Sequence, residues 1–253
     1  MIKRLIEFGR KQEPLLGVKF GVKSFRNVPD QRKIQPAKKL EWDNRAGLVL
    51  WLNDKGKSVD TWQDQSGQGN NGATHGSPTP PKASPAALGY IFDGVDDYID
   101  CGNAISGMLS FTVWIKPTVQ MATYKGIMGV WSSATTRSWL FDSALGYWEF
   151  TISTTGSDSK AARDTTLYSA GVWYNLFGVS TGTDVLLYVN GVQAANAGSG
   201  GIIQQQTDPV LLGKFTTGNF CSGTINDVRI YTREVSASEI LNYFEHTRGK
   251  YGV

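Results

Sequence analysis

Hydrolysis of a glycosidic bond in the usual way needs two carboxyl groups held roughly 5 to 9 Å apart across the scissile bond. Between Glu41 and Glu234 the chain holds one glutamate, Glu149 in YWEFTIS, and no acid follows it at i+2 or i+4. The two histidines, His75 and His246, have no Cys or carboxylate at ligand spacing, and the chain contains neither a Gly-x-Ser-x-Gly elbow nor a phosphate loop. The expectation is a chain that is not an enzyme.

Binding chemistry is better represented. Asp93, Asp96, Asp97 and Asp100 crowd into YIFDGVDDYIDCG, and Asp64 and Asp227 lie in segments that can fold nearby. Calcium takes several carboxylate and carbonyl oxygens from a flexible loop, so Asp93, Asp96, Asp97 and Asp227 form a candidate calcium set, although Asp is also ordinary turn chemistry. Sugars stack their apolar faces on exposed rings while polar neighbours bond the hydroxyls. Trp131, Trp139, Tyr147 and Trp148 are the candidate glycan contacts, against the alternative that such rings pack inside.

The elements that must position these groups read as strands. In 253 residues there are 29 glycines and 29 aromatic residues, with 19% charged, which is the profile of many strands joined by tight turns. GLVLWL from Gly47 is an apolar run of strand length, and Ser110–Pro117 (SFTVWIKP) alternates Phe111, Val113 and Ile115 against Thr112, Trp114 and Lys116. Further strands are expected near 126–132, 138–142, 146–153, 173–180 and 184–190. Asn190-Gly191 is the strongest hairpin signal, because a type I′ turn needs positive φ at both central residues. Tyr90 to Gly102 reads as a hinge between two strands, and GTINDVRIYTR as a closing strand whose broken alternation implies a bulge. Ser236 with Glu239 forms a capping box for a helix over 237–246 that turns Ile240, Leu241 and Phe244 inward.

Residues 1–45 differ in kind. They carry twelve Lys and Arg against five acids, a net of +7, while the remainder carries thirteen against seventeen, a net of −4. Pro14, Pro29 and Pro36 interrupt this arm, and it has no sustained apolar period. Lys3, Arg4, Arg10, Lys11, Leu15, Leu16, Phe20 and Phe25 are its candidate anchoring residues, suited to acidic neighbouring subunits. Nucleic acid is the weaker reading, since acids and apolar residues interrupt the charge. The first residues lack the apolar core of a secretory signal, and no stretch approaches a membrane span.

Taken together, the hinge at Tyr90 to Gly102, SFTVWIKP, VLLYVNGV and GTINDVRIYTR with its following helix closely resemble laminin G-like members of the concanavalin A-like lectin and glucanase superfamily. WQDQSGQGNNG, from Trp62 to Gly72, resembles an early loop of the same domains. The resemblance runs from Ala46 to the C-terminus. It implies an all-β jelly-roll sandwich of two antiparallel sheets over 46–253, with a short C-terminal helix and the extended arm at 1–45. It also implies a possible structural calcium and places Cys101 and Cys221 near each other, so that either two free thiols or one bridge could result. The terminal helix resembles that of laminin G-like domains in bacteriophage structural proteins. The function so implied is a non-enzymatic virion protein, a capsid decoration or host-adhesion component, made in the host cytoplasm and released by lysis. Its partners would be other virion subunits, cell-surface glycans and further copies of itself. The alternatives are a free-standing glycan-binding lectin and, behind it, a polysaccharide-cleaving enzyme.

Overall fold

The structure, a computed structural model, describes residues 43–76, 88–102, 106–216 and 218–253. The candidate anchoring residues of the arm, Lys3, Arg4, Arg10, Lys11, Leu15, Leu16, Phe20 and Phe25, lie outside the described residues.

Every strand pairing is antiparallel, and the strands form two layers. The front layer runs β10 (Lys160–Arg163), β9 (Tyr147–Ile152), β8 (Arg137–Ala144), β7 (Lys125–Trp131), β14 (Leu211–Leu212), β5 (Tyr98–Asp100), β3 (Gly72–His75) and β2 (Thr61–Asp64). The back layer runs β1 (Leu48–Lys57), β15 (Ser222–Tyr231), β6 (Ser110–Pro117), β11 (Tyr174–Ser180), β12 (Val185–Val189) and β13 (Val192–Ala197), with β4 (Tyr90–Asp93) also on β15. Between the layers lies the main core. Phe111 of β6 stacks on Trp139 of β8 with ring centroids 4.0 Å apart, and Val113, Ile115, Phe141, Phe150 and Ile152 close around them. A side chain at Gly178 of β11 would meet the Phe150 ring at 2.7 Å, so this position must be bare for the layers to approach.

The alternation in SFTVWIKP is realised as expected: Phe111, Val113 and Ile115 enter the main core, and Trp114 points the other way. There α1 (Ala237–Tyr251) covers the outer face of the back layer. Trp114 stacks on Tyr251 at 3.8 Å and on Phe244 at 5.9 Å, and Phe177, Tyr188, Tyr231, Ile240 and Tyr243 complete this second core. The capping box forms, with the Glu239 amide donating to Ser236 Oγ and the Ser236 amide donating to Glu239 Oε2. The helix runs past His246 to Tyr251 and stops at Gly252, which is left-handed at φ 73°. Tyr243 and Tyr251 take the inward positions with Ile240 and Phe244, whereas Leu241 stands 44% exposed, because the helical arc facing the sheet excludes it.

Asn190 and Gly191 both adopt positive φ and join β12 to β13. In WQDQSGQGNNG, Asp64 accepts from the amides of Trp51, Ser66 and Asn70, which clips the loop as its composition implies. Asp227 lies at φ 42° where the register between β15 and β6 slips, confirming the bulge in the closing strand. The hinge at Tyr90 to Gly102 joins two strands that do not pair: β4 lies on β15, and β5 lies between β3 and β14. It therefore carries the chain from one layer to the other. Five short strands, β2, β3, β10, β13 and β14, were not legible, being two to six residues long and, in KAAR and VQAANA, neither apolar nor alternating.

Candidate functional site

Among the described residues, no helix lies over the outer face of the front layer. Across β7 to β10 this face holds a cavity of about 450 Å³, lined by Trp131, Arg137, Leu140, Asp142, Glu149, Thr151 and Ala161 from the strands. Tyr124, Phe215 and Asn219 from flanking segments form its wall. Phe215 can lie there because Gly126 of β7 has no side chain; a Cβ would come within 2.6 Å of its backbone nitrogen. The volume falls in the range of small-ligand sites, and the lining combines rings with a few polar groups.

The polar floor is built by one hairpin. Leu145 and Gly146, both at positive φ, reverse the chain between β8 and β9, so Ala144 pairs with Tyr147 and Asp142 with Glu149. Residues directly opposite on an antiparallel pair have their Cβ atoms about 4.5 to 5.5 Å apart, so two carboxyl groups share one spot. Glu149 is fully engaged: Oε1 accepts from Thr151 Oγ1 at 3.2 Å and Oε2 from Arg163 Nε at 2.5 Å. Arg163 in turn donates to the Tyr124 hydroxyl at 3.1 Å. Asp142 is 2% exposed, and its Oδ1 is buried without a hydrogen-bond partner among the described residues. Burial first, and the facing Glu149 carboxyl second, hold its pKa well above the ordinary carboxylate range against an opposing pull from Arg163. Both causes bias the Asp142 carboxyl toward its protonated form, in which it can donate a hydrogen bond.

At the far end of the cavity Arg137 lies over the Trp131 ring, 5.2 Å from its centroid. Arg137 Nη1 donates to the Ser157 carbonyl, while Nε is buried with no partner among the described residues. Of the four rings expected to meet a glycan, Trp131 alone lines the groove, half-buried. Tyr147 is half-buried on the strand face of Glu149 but does not line the cavity. Trp139 and Trp148 are corrections. Both are fully buried, Trp139 against Phe111 and Trp148 stacked on Tyr168 at 3.9 Å, because they occupy core-facing positions of β8 and β9.

The expected acidic cluster is partly realised. Ligand atoms of Asp93, Asp96 and Asp97 lie within 4.8 Å of one another in the hinge, an arrangement able to hold a hard cation such as calcium. The same carboxylates also serve the turn, Asp97 accepting from the Asp93 amide and Asp93 from the Val95 amide. Asp227 is not part of it. Its carboxylate accepts from Arg229 Nε at 3.0 Å and Trp51 Nε1 at 2.8 Å, and the bulge of β15 fixes it there. Cys101 and Cys221 are both free and buried, and burial pushes the Cys221 thiol up to about 12.

The Asp142–Glu149 pair escapes a search along single strands, since its members are joined only across the turn. Counting outward from Leu145-Gly146 would have found it, but Leu in a left-handed position gives no turn signal.

The sequence model of a laminin G-like family, described as the concanavalin A-like lectin/glucanases superfamily, matches residues 93–241. No curated protein matches the chain. Among solved structures, domain 4 of AbnA, an extracellular arabinanase from Geobacillus stearothermophilus solved with arabinotriose, is similar with a TM-score of 0.62 at 16% identity, covering 78% of this chain and 98% of that one. The binding domain of botulinum neurotoxin serotype D is similar with a TM-score of 0.64 at 16% identity, over 80% of this chain and 51% of that one. The binding domain of paraclostridial mosquitocidal protein 1 gives 0.62 at 14%, over 79% and 52%. The chain therefore spans about half of each toxin domain, and at these identities the likeness is one of fold.

Proposed function

The chain belongs to the concanavalin A-like lectin/glucanases superfamily, and from that premise we propose that its open groove binds a glycan without cleaving it. One observation carries the reading: a cavity of about 450 Å³ on a sheet face that no described helix covers, joining a half-buried tryptophan, an arginine and a carboxyl oxygen without a partner among the described residues. Saccharides ask for that mixture, a ring for the apolar face and fixed polar atoms for the hydroxyls. The arabinotriose bound by the arabinanase domain supports the ligand class. The non-catalytic part of the reading rests on the bonds Glu149 accepts from Thr151 and Arg163, which fix its carboxylate in the polar floor of the groove.

Affinity electrophoresis through gels containing arabinan, xylan or dextran tests this, followed by chromatography of the same polysaccharides after prolonged incubation. Retardation with no shortening of the polymer is expected. Migration unchanged in every gel would contradict binding, and released oligosaccharides would contradict the non-catalytic part.

A second reading adds a location. The basic composition of residues 1–45 suits an anchor on an acidic protein assembly, which would make the chain a displayed adhesion component of a bacteriophage particle. Co-sedimentation of the full chain, and of a form starting at Ala46, with particles lacking this protein tests it. Arm-dependent pelleting is expected, and no pelleting of either form would rule it out.

A further inference from the structure

We propose that one extended oligosaccharide lies lengthwise along β8 and is read by two specificity-determining residues, Asp142 at one end of the groove and Arg137 at the other. The proposal rests on the glycan-binding reading and narrows it to oligomers.

Both residues line the same cavity, and each brings to it a buried polar atom with no partner among the described residues: Asp142 Oδ1 and Arg137 Nε. A buried polar atom left unbonded is a cost that folding alone does not require, about 1 to 3 kcal/mol each. Two such atoms converging on one cavity indicate partners supplied from outside.

The strand itself is altered to bring this about. Arg137 and Trp139 are two residues apart, and in a regular strand they would share a face, the one buried in the core. Instead, Val130 pairs with Trp139 and Trp131 with Arg137, so the ladder skips Ser138. The bulge turns Arg137 out of the core and onto the face of Leu140 and Asp142.

Spacing then sets ligand size. Five residues separate Arg137 from Asp142, roughly 16 Å of strand at about 3.3 Å per residue, which exceeds a single sugar ring. The chemistry at the two ends is complementary to a neutral chain. Arg137 Nε–H donates to a ring or hydroxyl oxygen, and the Asp142 carboxyl donates to one hydroxyl oxygen and accepts at its other oxygen. Charge in the groove is otherwise compensated, since Glu149 is paired with Arg163. The titratable groups acting on Asp142 are Glu149 on β9 and Arg163 on β10, with Tyr124 ahead of β7 bonded to Arg163; Arg137 stands at the other end of the groove.

The test is calorimetry of the full chain with three pairs of probes: arabinose and arabinotriose, xylose and xylotriose, glucose and cellotriose. At least one trisaccharide is expected to bind roughly tenfold or more tightly than its monosaccharide. Arg137→Ala and Asp142→Ala should each remove that preference, while Asp142→Asn, which keeps a donor, should hold it. Should Asp142→Ala fail to fold, Arg137→Ala at its half-buried position carries the test. A trisaccharide bound no better than its monosaccharide, or a preference unmoved by Arg137→Ala, overturns the proposal and leaves the glycan-binding reading standing. Loss of the preference in Asp142→Asn overturns the donor role. Absence of binding by all six probes overturns both.

Discussion

The outer faces of the two layers are alike in backbone and opposite in use. Behind the back layer, α1 seals Trp114, Phe177 and Tyr231 into a second core, and Arg229, which is 1% exposed, lies between the rings of Trp51 and Tyr243 with Asp227 and Asp43 on its guanidinium. Over β7 to β10 of the front layer the described residues place no such cover; buried unbonded atoms occur on both faces, Trp114 Nε1 in the second core among them, but those of Asp142 and Arg137 lie in a cavity. One face is built to be stable and the other to be met. Substitutions on the two faces should therefore separate stability from binding.

The largest effect is expected on the covered face. Trp114→Ala removes a fully buried ring and its stacking with Tyr251 and Phe244, and should cost about 3 to 5 kcal/mol in denaturant unfolding. Affinity for saccharide, measured on the folded fraction, should stay as it was. A loss of binding with intact stability would reverse the assignment of the faces.

On the open face the expected sign is opposite. The folded-state pKa of Asp142 is raised, so between the ordinary carboxylate value of 3.8 and that raised value the folded chain holds a proton that the unfolded chain gives up. Stability therefore falls as pH climbs through this window. Asp142→Asn removes the titration, and the variant should gain on the native chain as pH rises above 3.8. Parallel stability-against-pH curves for the two proteins would contradict this.

Smaller changes sharpen the picture of the helix. Ser236→Ala removes the N-cap acceptor and should cost about 1 kcal/mol. Burial tends to raise the Glu239 pKa, but hydrogen bonds from Arg233, the Ser236 amide and Asn44 outweigh it and bring it down to about 2. Its contribution is present above 4.5 and fades as pH falls through 2. The native chain should lose a small increment of stability there that Glu239→Gln never had, a difference read from acid titration of the two.

What the sequence disclosed divides along the same line. Trp114 behind the core strand, Asn190-Gly191 and the Ser236–Glu239 box each rest on local rules, of period, turn and cap, and each stands where those rules put it. The groove depends on pairing between segments. Asp142 meets Glu149 through a turn with Leu145 in a left-handed conformation that Leu rarely takes, and Arg137 reaches the face through a skipped residue at Ser138. Neither departure leaves a local mark. Trp139 and Trp148 fail as ligand contacts for a related reason, since ring type shows that a position is apolar and not which layer it faces.

The most direct measurement is amide chemical-shift mapping of the full chain titrated with arabinotriose. The account predicts perturbations confined to β7 to β10 and the wall of the groove, strongest near Trp131, Arg137, Asp142 and Glu149, and their disappearance in Trp131→Ala. Perturbations centred on α1 or on the acidic hinge at 93–97, or a Trp131→Ala chain that responds as the native one does, would contradict it.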